Sequence, residues 1–229
     1  MLSNIKSIQK TSLIDYPDKV SCVIFLGGCD FRCGFCHNPD LVLGDLKSIS
    51  EEEVLKFLEK KKKWLDGVVF SGGEPLLNKD IVGFIKRIKN MGFLIKVDTN
   101  GNNPKLLKEL IDKKLVDYIA MDFKNSFKKY EETINVKVDI NKIKESIELI
   151  KNSGVEHEFR CTILPKLHTK RDILEMCNLI KGNKFILQRF NNKVRLLNPD
   201  FQKYEQFSKE ELEDFKKECD KIVECSIRF

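Results

Sequence analysis

Apolar residues fall along this chain in two alternating rhythms. Residues 19–26 carry Val20, Cys22, Val23, Ile24 and Phe25 in a nearly unbroken run, and that length and density predict a strand covered on both faces. Ser50 followed by Glu51, Glu52 and Glu53 has the form of a capping box, and Val54, Leu55, Phe57 and Leu58 behind it share one helical face. The four lysines at 60–63 stand where the negative end of that helix would lie, so they read as a helix terminus and not as a binding patch.

The two rhythms then repeat. Further strands are predicted over 67–71, 93–98, 118–122, 156–164 and 185–188, the fifth of the six with Phe159, Cys161 and Ile163 alternating. Helices are predicted over 80–90, 104–112, 139–152, 169–180 and 208–223. Ile81, Phe84, Ile85 and Ile88 mark one buried face, and Ile140, Ile143, Ile147 and Ile150 another; Asn103 and Pro104 open a helix, and Gly154 and Gly182 follow two others. Six strand-helix units in one direction require a mainly parallel sheet, because parallel neighbours need crossover connections. With no repeat, low-complexity stretch or linker, the expectation is one α/β domain over 1–229, with a core over 10–190 and a helical extension over 191–229.

Composition narrows the picture. Of 229 residues, 41% are apolar and 33% charged, a globular balance that excludes disordered, collagenous and disulfide-miniprotein classes. Charges interrupt every apolar segment before the roughly 20 residues of a bilayer span, so no membrane association is expected. The net charge of +6 comes from 34 Lys against 7 Arg scattered along the chain, which describes a solvated lysine surface and not a nucleic-acid stripe. Residues 1–6 have no apolar run of the signal-peptide kind, so the cytoplasm is the expected compartment, where eight cysteines serve as thiols or metal ligands.

Chemistry in such sheets concentrates at the C-terminal ends of the strands. There the sequence places Gly27-Gly28-Cys29, Ser71-Gly72-Gly73-Glu74-Pro75, Asp98-Thr99-Asn100-Gly101, Asp122-Phe123-Lys124 and Leu164-Pro165. Cys29, Cys33 and Cys36 form a C-x3-C-x2-C triplet. Three thiolates on a cubane 4Fe-4S cluster leave one iron open for a small chelating molecule. The alternative is a Cys3His zinc site completed by His37, although zinc ligands usually come as pairs from two separated segments. Cys22, Cys161, Cys177 and Cys219 stand in apolar settings and read as buried hydrophobes; Cys225 carries no signal. His157 and His168 read as surface or strand-end residues.

The C-x3-C-x-aromatic-C motif, with Phe35 as the aromatic, and the Gly-Gly-Glu-Pro motif at 72–75 together resemble the radical S-adenosylmethionine superfamily. Cys36-His37-Asn38-Pro39, Asp98-Thr99-Asn100-Gly101 and Asp122-Phe123-Lys124 resemble its glycyl-radical enzyme activating enzymes. Thr11-Ser12-Leu13-Ile14-Asp15-Tyr16-Pro17 is similar to the branch of anaerobic ribonucleoside-triphosphate reductase activating proteins, itself akin to pyruvate formate-lyase activating enzyme. One departure is Asp18, where many relatives have Gly.

The resemblance implies a partial (β/α)6 barrel of the TIM-like kind. It implies one 4Fe-4S cluster on Cys29, Cys33 and Cys36 and S-adenosylmethionine on its open iron. Reductive cleavage of that molecule would give a 5'-deoxyadenosyl radical that takes a hydrogen atom from a glycine of a partner glycyl-radical enzyme, with flavodoxin or ferredoxin as electron donor. Phe35 and His37 would flank the adenine, though His37 has the alternative of a hydrogen bond within its loop. Gly72 and Gly73 would let backbone approach the methionine ammonium beside Glu74, or make an ordinary tight turn. Asp98, Thr99 and Asp122 would form a monovalent-cation site, and Arg160 and Lys124 would lie near the methionine carboxylate, with a structural ion pair as the alternative for either. No cysteine stands between Cys36 and Cys161, so a single cluster is expected. The competing readings are a small-molecule radical enzyme like 7-carboxy-7-deazaguanine synthase and a non-catalytic iron-sulfur carrier.

Overall fold

The two rhythms build one eight-stranded sheet in the computed structural model, which describes residues 2–44 and 46–229. Met1, part of the opening stretch read above, lies outside the described residues. In chain order the elements are β1 (Ile5–Ser12), β2 (Ser21–Leu26), α1 (Pro39–Leu43), α2 (Glu51–Lys61), β3 (Gly67–Gly72), α3 (Ile81–Asn90), β4 (Leu94–Thr99) and α4 (Pro104–Asp112). There follow β5 (Tyr118–Asp122), α5 (Tyr130–Ile134), α6 (Ile140–Asn152), β6 (Glu156–Ile163), α7 (Lys170–Leu179), β7 (Lys184–Arg189), α8 (Lys209–Cys219) and β8 (Glu224–Arg228). Each strand pairs with the next in sequence; β1 is antiparallel to β2, and β2 through β8 are parallel. The result is an α/β partial barrel.

The six predicted strands are β2 to β7. The sequence reading missed β1 and β8 at the two edges, where few side chains are buried: β1 buries only its two ends, Ile5 and Ser12, and β8 only Cys225. The helix predicted to reach residue 223 stops at Cys219, and the chain turns there into β8. Ser50 caps α2 by accepting from Glu53 N, while reciprocal capping boxes form at Thr169 with Asp172 and at Ser208 with Glu211. His168, expected at the surface, is 2% exposed. Its Nε2 lies 2.8 Å from the Lys124 carbonyl and its Nδ1 accepts from Leu164 N at 3.3 Å, so buried backbone groups needed a partner that sequence spacing does not show.

The strands' alternation divides the apolar residues. Cys22, Ile24, Val68, Phe70, Ile95, Val97, Ile119 and Phe159 face the helices in the main core. On the inner face Val23, Val69, Tyr118 and Ala120 pack with Tyr16, which comes from the β1–β2 loop and meets Tyr118 at 5.8 Å between ring centroids. Tyr16 therefore plugs the N-terminal end of the barrel. In the same loop Asp18 takes φ +57°, the left-handed conformation that glycine adopts freely and aspartate tolerates. That accounts for Asp18 standing where many similar sequences have Gly.

Candidate active site

The opposite, C-terminal edge of the barrel holds a cavity of about 240 Å³. It is lined by the loop after β2 (Cys29, Cys33, Phe35, Cys36 and His37), by Gly72 at the end of β3 with Gly73 and Glu74 behind it, and by Asp98 and Thr99 at the end of β4. Asp122 and Lys124 close β5, and Arg160 comes from β6. Every predicted site residue thus meets in one place, brought there by strand ends and not by sequence proximity. Asn38, Asn100, Thr162 and Gln188 line it as well. The Thr11 to Pro17 segment is absent from this lining; it lies at the plugged end, with Leu13 and Ile14 exposed.

The cysteine loop is fixed from three sides. Phe31 N donates to Cys29 Sγ at 3.4 Å and Cys36 N to the Cys33 carbonyl at 3.0 Å. Asp30 accepts from the side-chain amides of Asn100 at 2.7 Å and Asn102 at 2.6 Å, tying the loop to the turn after β4. From the C-terminal extension, Leu197 N and Asn198 N donate to the carbonyls of Cys36 and Gly34, each at 3.0 Å. A Cβ on Gly34 would meet the Phe201 ring at 2.3 Å, so the strap requires glycine there. Sequence reading missed the strap because its contacts are backbone bonds and ring faces, which leave no spacing.

All eight cysteines are free thiols among the described residues. Burial pushes the Cys29 thiol up to about 12 and the Cys33 thiol up to about 11, so a metal ligating them must displace their protons. His37 stacks on Phe190 with 6.4 Å between centroids and is hydrogen-bonded to the Asn191 backbone. Cys161, a buried thiol outside the cysteine loop, donates to the Lys124 carbonyl at 3.5 Å. Among the described residues no three His, Cys, Asp or Glu side chains form a group suited to a single ion; cubane ligands each take a different iron. Three thiols on one cavity-lining loop fit that cluster.

Gly72 and Gly73 bring β3 against that loop. A Cβ on Gly73 would come within 1.9 Å of the Gly28 carbonyl oxygen, and Gly72, at φ +128°, would place one 2.3 Å from the Leu26 oxygen. The glycines therefore allow backbone to approach backbone, a requirement separate from any ligand. Glu74, 2% exposed, accepts from Leu76 N at 2.9 Å, Thr99 Oγ1 at 2.8 Å and Asn100 N at 2.6 Å. Burial pushes its carboxyl up to about 8 against those three bonds, which favour the ionised form. It locks two site loops together.

The inner wall above the apolar plug is ionic. Asp122 and Arg160 are register partners on β5 and β6, and Arg160 Nε donates to Asp122 Oδ1 at 2.9 Å. Lys124 Nζ pairs with Asp122 Oδ2 at 3.0 Å, and Arg160 Nη1 lies 3.5 Å from Asp98 Oδ2. Burial works against the Asp122 carboxylate, yet Arg160 and Lys124 hold its pKa far below the usual range. Asp98 is likewise held low by Arg160 and Lys96 against burial. Lys96, unmarked by any motif, is buried two residues before Asp98 and pairs with it. Its signal in the sequence was a lone lysine inside an apolar strand.

Residues 23–180 match the Radical SAM superfamily. The chain is 39% identical over 199 residues to a Methanocaldococcus jannaschii protein named as a glycyl-radical enzyme activating enzyme, covering 84% of this chain and 82% of that one. It is 31% identical over 204 residues to the pyruvate formate-lyase-activating enzyme of Clostridium pasteurianum, covering 86% and 82%. Among solved structures, Streptococcus suis SuiB bound to precursor peptide SuiA superposes with a TM-score of 0.67 at 16% identity over 90% of this chain, which spans about half (48%) of SuiB. A domain of pyruvate-formate lyase-activating enzyme from Bacteroides vulgatus gives 0.57 at 16% identity, over 71% of this chain and 99% of that domain. At such identity the structural matches speak for the fold alone.

Proposed function

The chain belongs to the radical SAM superfamily, and from that premise we propose that it is a single-domain activase that takes a hydrogen atom from a glycine of a partner glycyl-radical enzyme. One observation carries the reading: a single cavity gathers a three-thiol loop, the Gly72 to Pro75 turn and the Asp98, Asp122, Lys124 and Arg160 charges, in a chain whose relatives are named for that activity. The anaerobic ribonucleoside-triphosphate reductase is the first candidate partner, supported by the Thr11 to Pro17 resemblance. A cytoplasmic setting and a flavodoxin or ferredoxin donor belong to the same proposal. Among the described residues no helix is long and apolar enough to cross a membrane.

Cys29, Cys33 and Cys36 would hold a 4Fe-4S cluster. Bound there, the cluster supplies one electron and S-adenosylmethionine the carbon that accepts the hydrogen atom. The chain's residues supply position and charge. Lys124 and Arg160 offer their cationic edges to the methionine carboxylate, while Asp98 and Asp122 fix those cations by the pairs described. Glu74, Gly72 and Gly73 set the wall beside the methionine ammonium, and Thr99 holds Glu74 in place. Phe35 and His37 form the side of the cavity suited to a flat base, with the Phe201 strap and Phe190 behind them.

The test is anaerobic incubation of the reduced, iron-loaded chain with S-adenosylmethionine and the reductase, read by electron paramagnetic resonance. A glycyl doublet with matching 5'-deoxyadenosine, both lost when the partner's glycine becomes alanine, supports the reading. Cofactor cleavage that responds to a small metabolite and to no glycyl-radical protein overturns it.

A further inference from the structure

The resemblance implies a monovalent cation on Asp98, Thr99 and Asp122, and each side-chain oxygen of these residues already faces a cationic group or a hydrogen-bond partner. Asp98 gives Oδ1 to the Lys96 ammonium and faces Arg160 Nη1 with Oδ2 at 3.5 Å. Asp122 divides its oxygens between Arg160 Nε at 2.9 Å and Lys124 Nζ at 3.0 Å. Thr99 Oγ1 donates to Glu74 Oε1 at 2.8 Å and accepts from Gly101 N at 3.1 Å. The group does not fit this donor set.

We infer that Lys96 takes the place of that cation: its ammonium, tethered inside the barrel, holds Asp98 as a bound ion would, so that the chain binds S-adenosylmethionine without a monovalent metal ion. The inference rests on the proposed role of Asp98 in cofactor binding. Lys96 is then a positioning residue, acting through Asp98.

Three features of the surroundings support this. The Lys96 side chain is only 2% exposed, and its register partners on the neighbouring strands, Val69 and Tyr118, belong to the apolar plug. Its Nζ is 5.9 Å from the Tyr118 ring centroid, and Asp98 is the carboxylate it pairs with. A buried ammonium is costly unless paired, whereas an unbranched apolar side chain would fill the same space at no such cost. The lysine is therefore explained by its charge. The charge count points the same way. Asp98, Asp122 and Glu158 face Lys96, Lys124 and Arg160, and Arg228 Nη2 approaches Glu158 at 3.7 Å besides. A further cation would enter a wall whose negative charge is already balanced.

The test compares S-adenosylmethionine affinity of the anaerobically reconstituted chain in sodium, potassium and tetramethylammonium chloride at equal ionic strength, tetramethylammonium being too bulky to enter a carboxylate pair. Binding is read from the change it makes in the resonance spectrum of the reduced cluster, independently of turnover. Wild type is expected to bind equally in all three salts. Lys96→Met, with cluster content and melting temperature checked, is expected to bind about tenfold or more weakly in tetramethylammonium, as loss of a charge-assisted contact implies, and to be rescued by sodium or potassium. A wild-type affinity that falls when both metal ions are withdrawn overturns the inference. So does a Lys96→Met chain that binds like wild type, or is weakened equally in every salt. Should Lys96→Met not fold, the wild-type comparison decides alone. Absence of binding in any salt overturns the cofactor reading itself and the inference with it, whereas salt-dependent binding overturns the inference and leaves that reading standing.

Discussion

The molecule contains two groups of three cysteines, and their settings are opposite. Cys29, Cys33 and Cys36 sit on a loop at the C-terminal edge of the sheet and line the cavity. Cys177 on α7, Cys219 at the end of α8 and Cys225 in β8 belong to the apolar core, with Cys219 beside both of the others. Proximity of sulfurs is common to both groups, so it cannot be what makes a ligand set. The loop group has a cavity in front of it and the Lys124 ammonium near enough to favour the Cys33 thiolate. The core group has helix and strand on every side. A cavity in front of the sulfurs is what the loop group has and the core group lacks.

The largest expected effect tests that separation directly. After anaerobic reconstitution the wild-type chain should carry about four irons, the stoichiometry of one cubane. Cys29→Ala, Cys33→Ala or Cys36→Ala should lose nearly all of it, and Cys219→Ala should keep the wild-type amount per folded chain. Full iron in Cys33→Ala, or none in a folded Cys219→Ala, would break the comparison.

A smaller effect distinguishes the ligands from the charges around them. Asp98→Asn and Arg160→Met should leave iron content unchanged and weaken S-adenosylmethionine binding by roughly 10- to 100-fold, as expected when charge-assisted contacts of about 1.5 to 3 kcal/mol are removed. Equilibrium binding to the reconstituted proteins measures it. Wild-type affinity in both variants would remove these residues from the cofactor's surroundings.

How far the sequence reaches follows the same division. Strands β2 to β7 were legible because each is buried on both faces and its apolar run is dense, while β1 and β8 are edge strands whose lysine, glutamine and glutamate lie outside their few buried positions. The cysteine triplet and the Gly72 to Pro75 turn were legible because their chemistry needs neighbours in sequence. Glu74 clasping Thr99 and Asn100 was not, since that contact joins two loops 25 and 26 residues apart. Lys96 was hidden for a different reason: its partner Asp98 is visible in the sequence, but a lysine in a strand normally faces water, and only the curvature of the partial barrel turns this one inward. The strap over Gly34 was invisible because a ring against a glycine has no motif.

That strap gives the next test. Phe201 lies against Gly34 and meets the Phe35 ring at 6.2 Å. Phe201→Ala should assemble the cluster to the wild-type level, since no ligand is touched, and lose it several-fold faster in air, because the loop is then held by the Leu197 and Asn198 bonds without the ring. The visible absorbance of the cluster, followed after exposure to oxygen, measures the rate. An unchanged rate would make the extension a neighbour of the site and not part of its protection.

The smallest expected effect comes from the core cysteines, and it sharpens the comparison because it should appear in stability alone. Cys177 is fully buried on α7 and reaches Cys219 across the contact between α7 and α8. Cys177→Ala removes one sulfur and its contacts without leaving a buried charge, so the cost should be about 1 to 2 kcal/mol. For a chain of this length each kcal/mol lowers the melting temperature by about 2 to 4 °C. Cys177→Ser keeps the volume and adds a hydroxyl that must find a partner in an apolar setting, so it should cost at least as much. Thermal unfolding of the two variants measures this, with iron content and S-adenosylmethionine affinity measured alongside. Both should stay at wild-type values, because no described contact of Cys177 reaches the cavity. A changed cofactor affinity in a stable Cys177→Ala chain would mean that the second group of thiols is coupled to the first, and packing would no longer explain it.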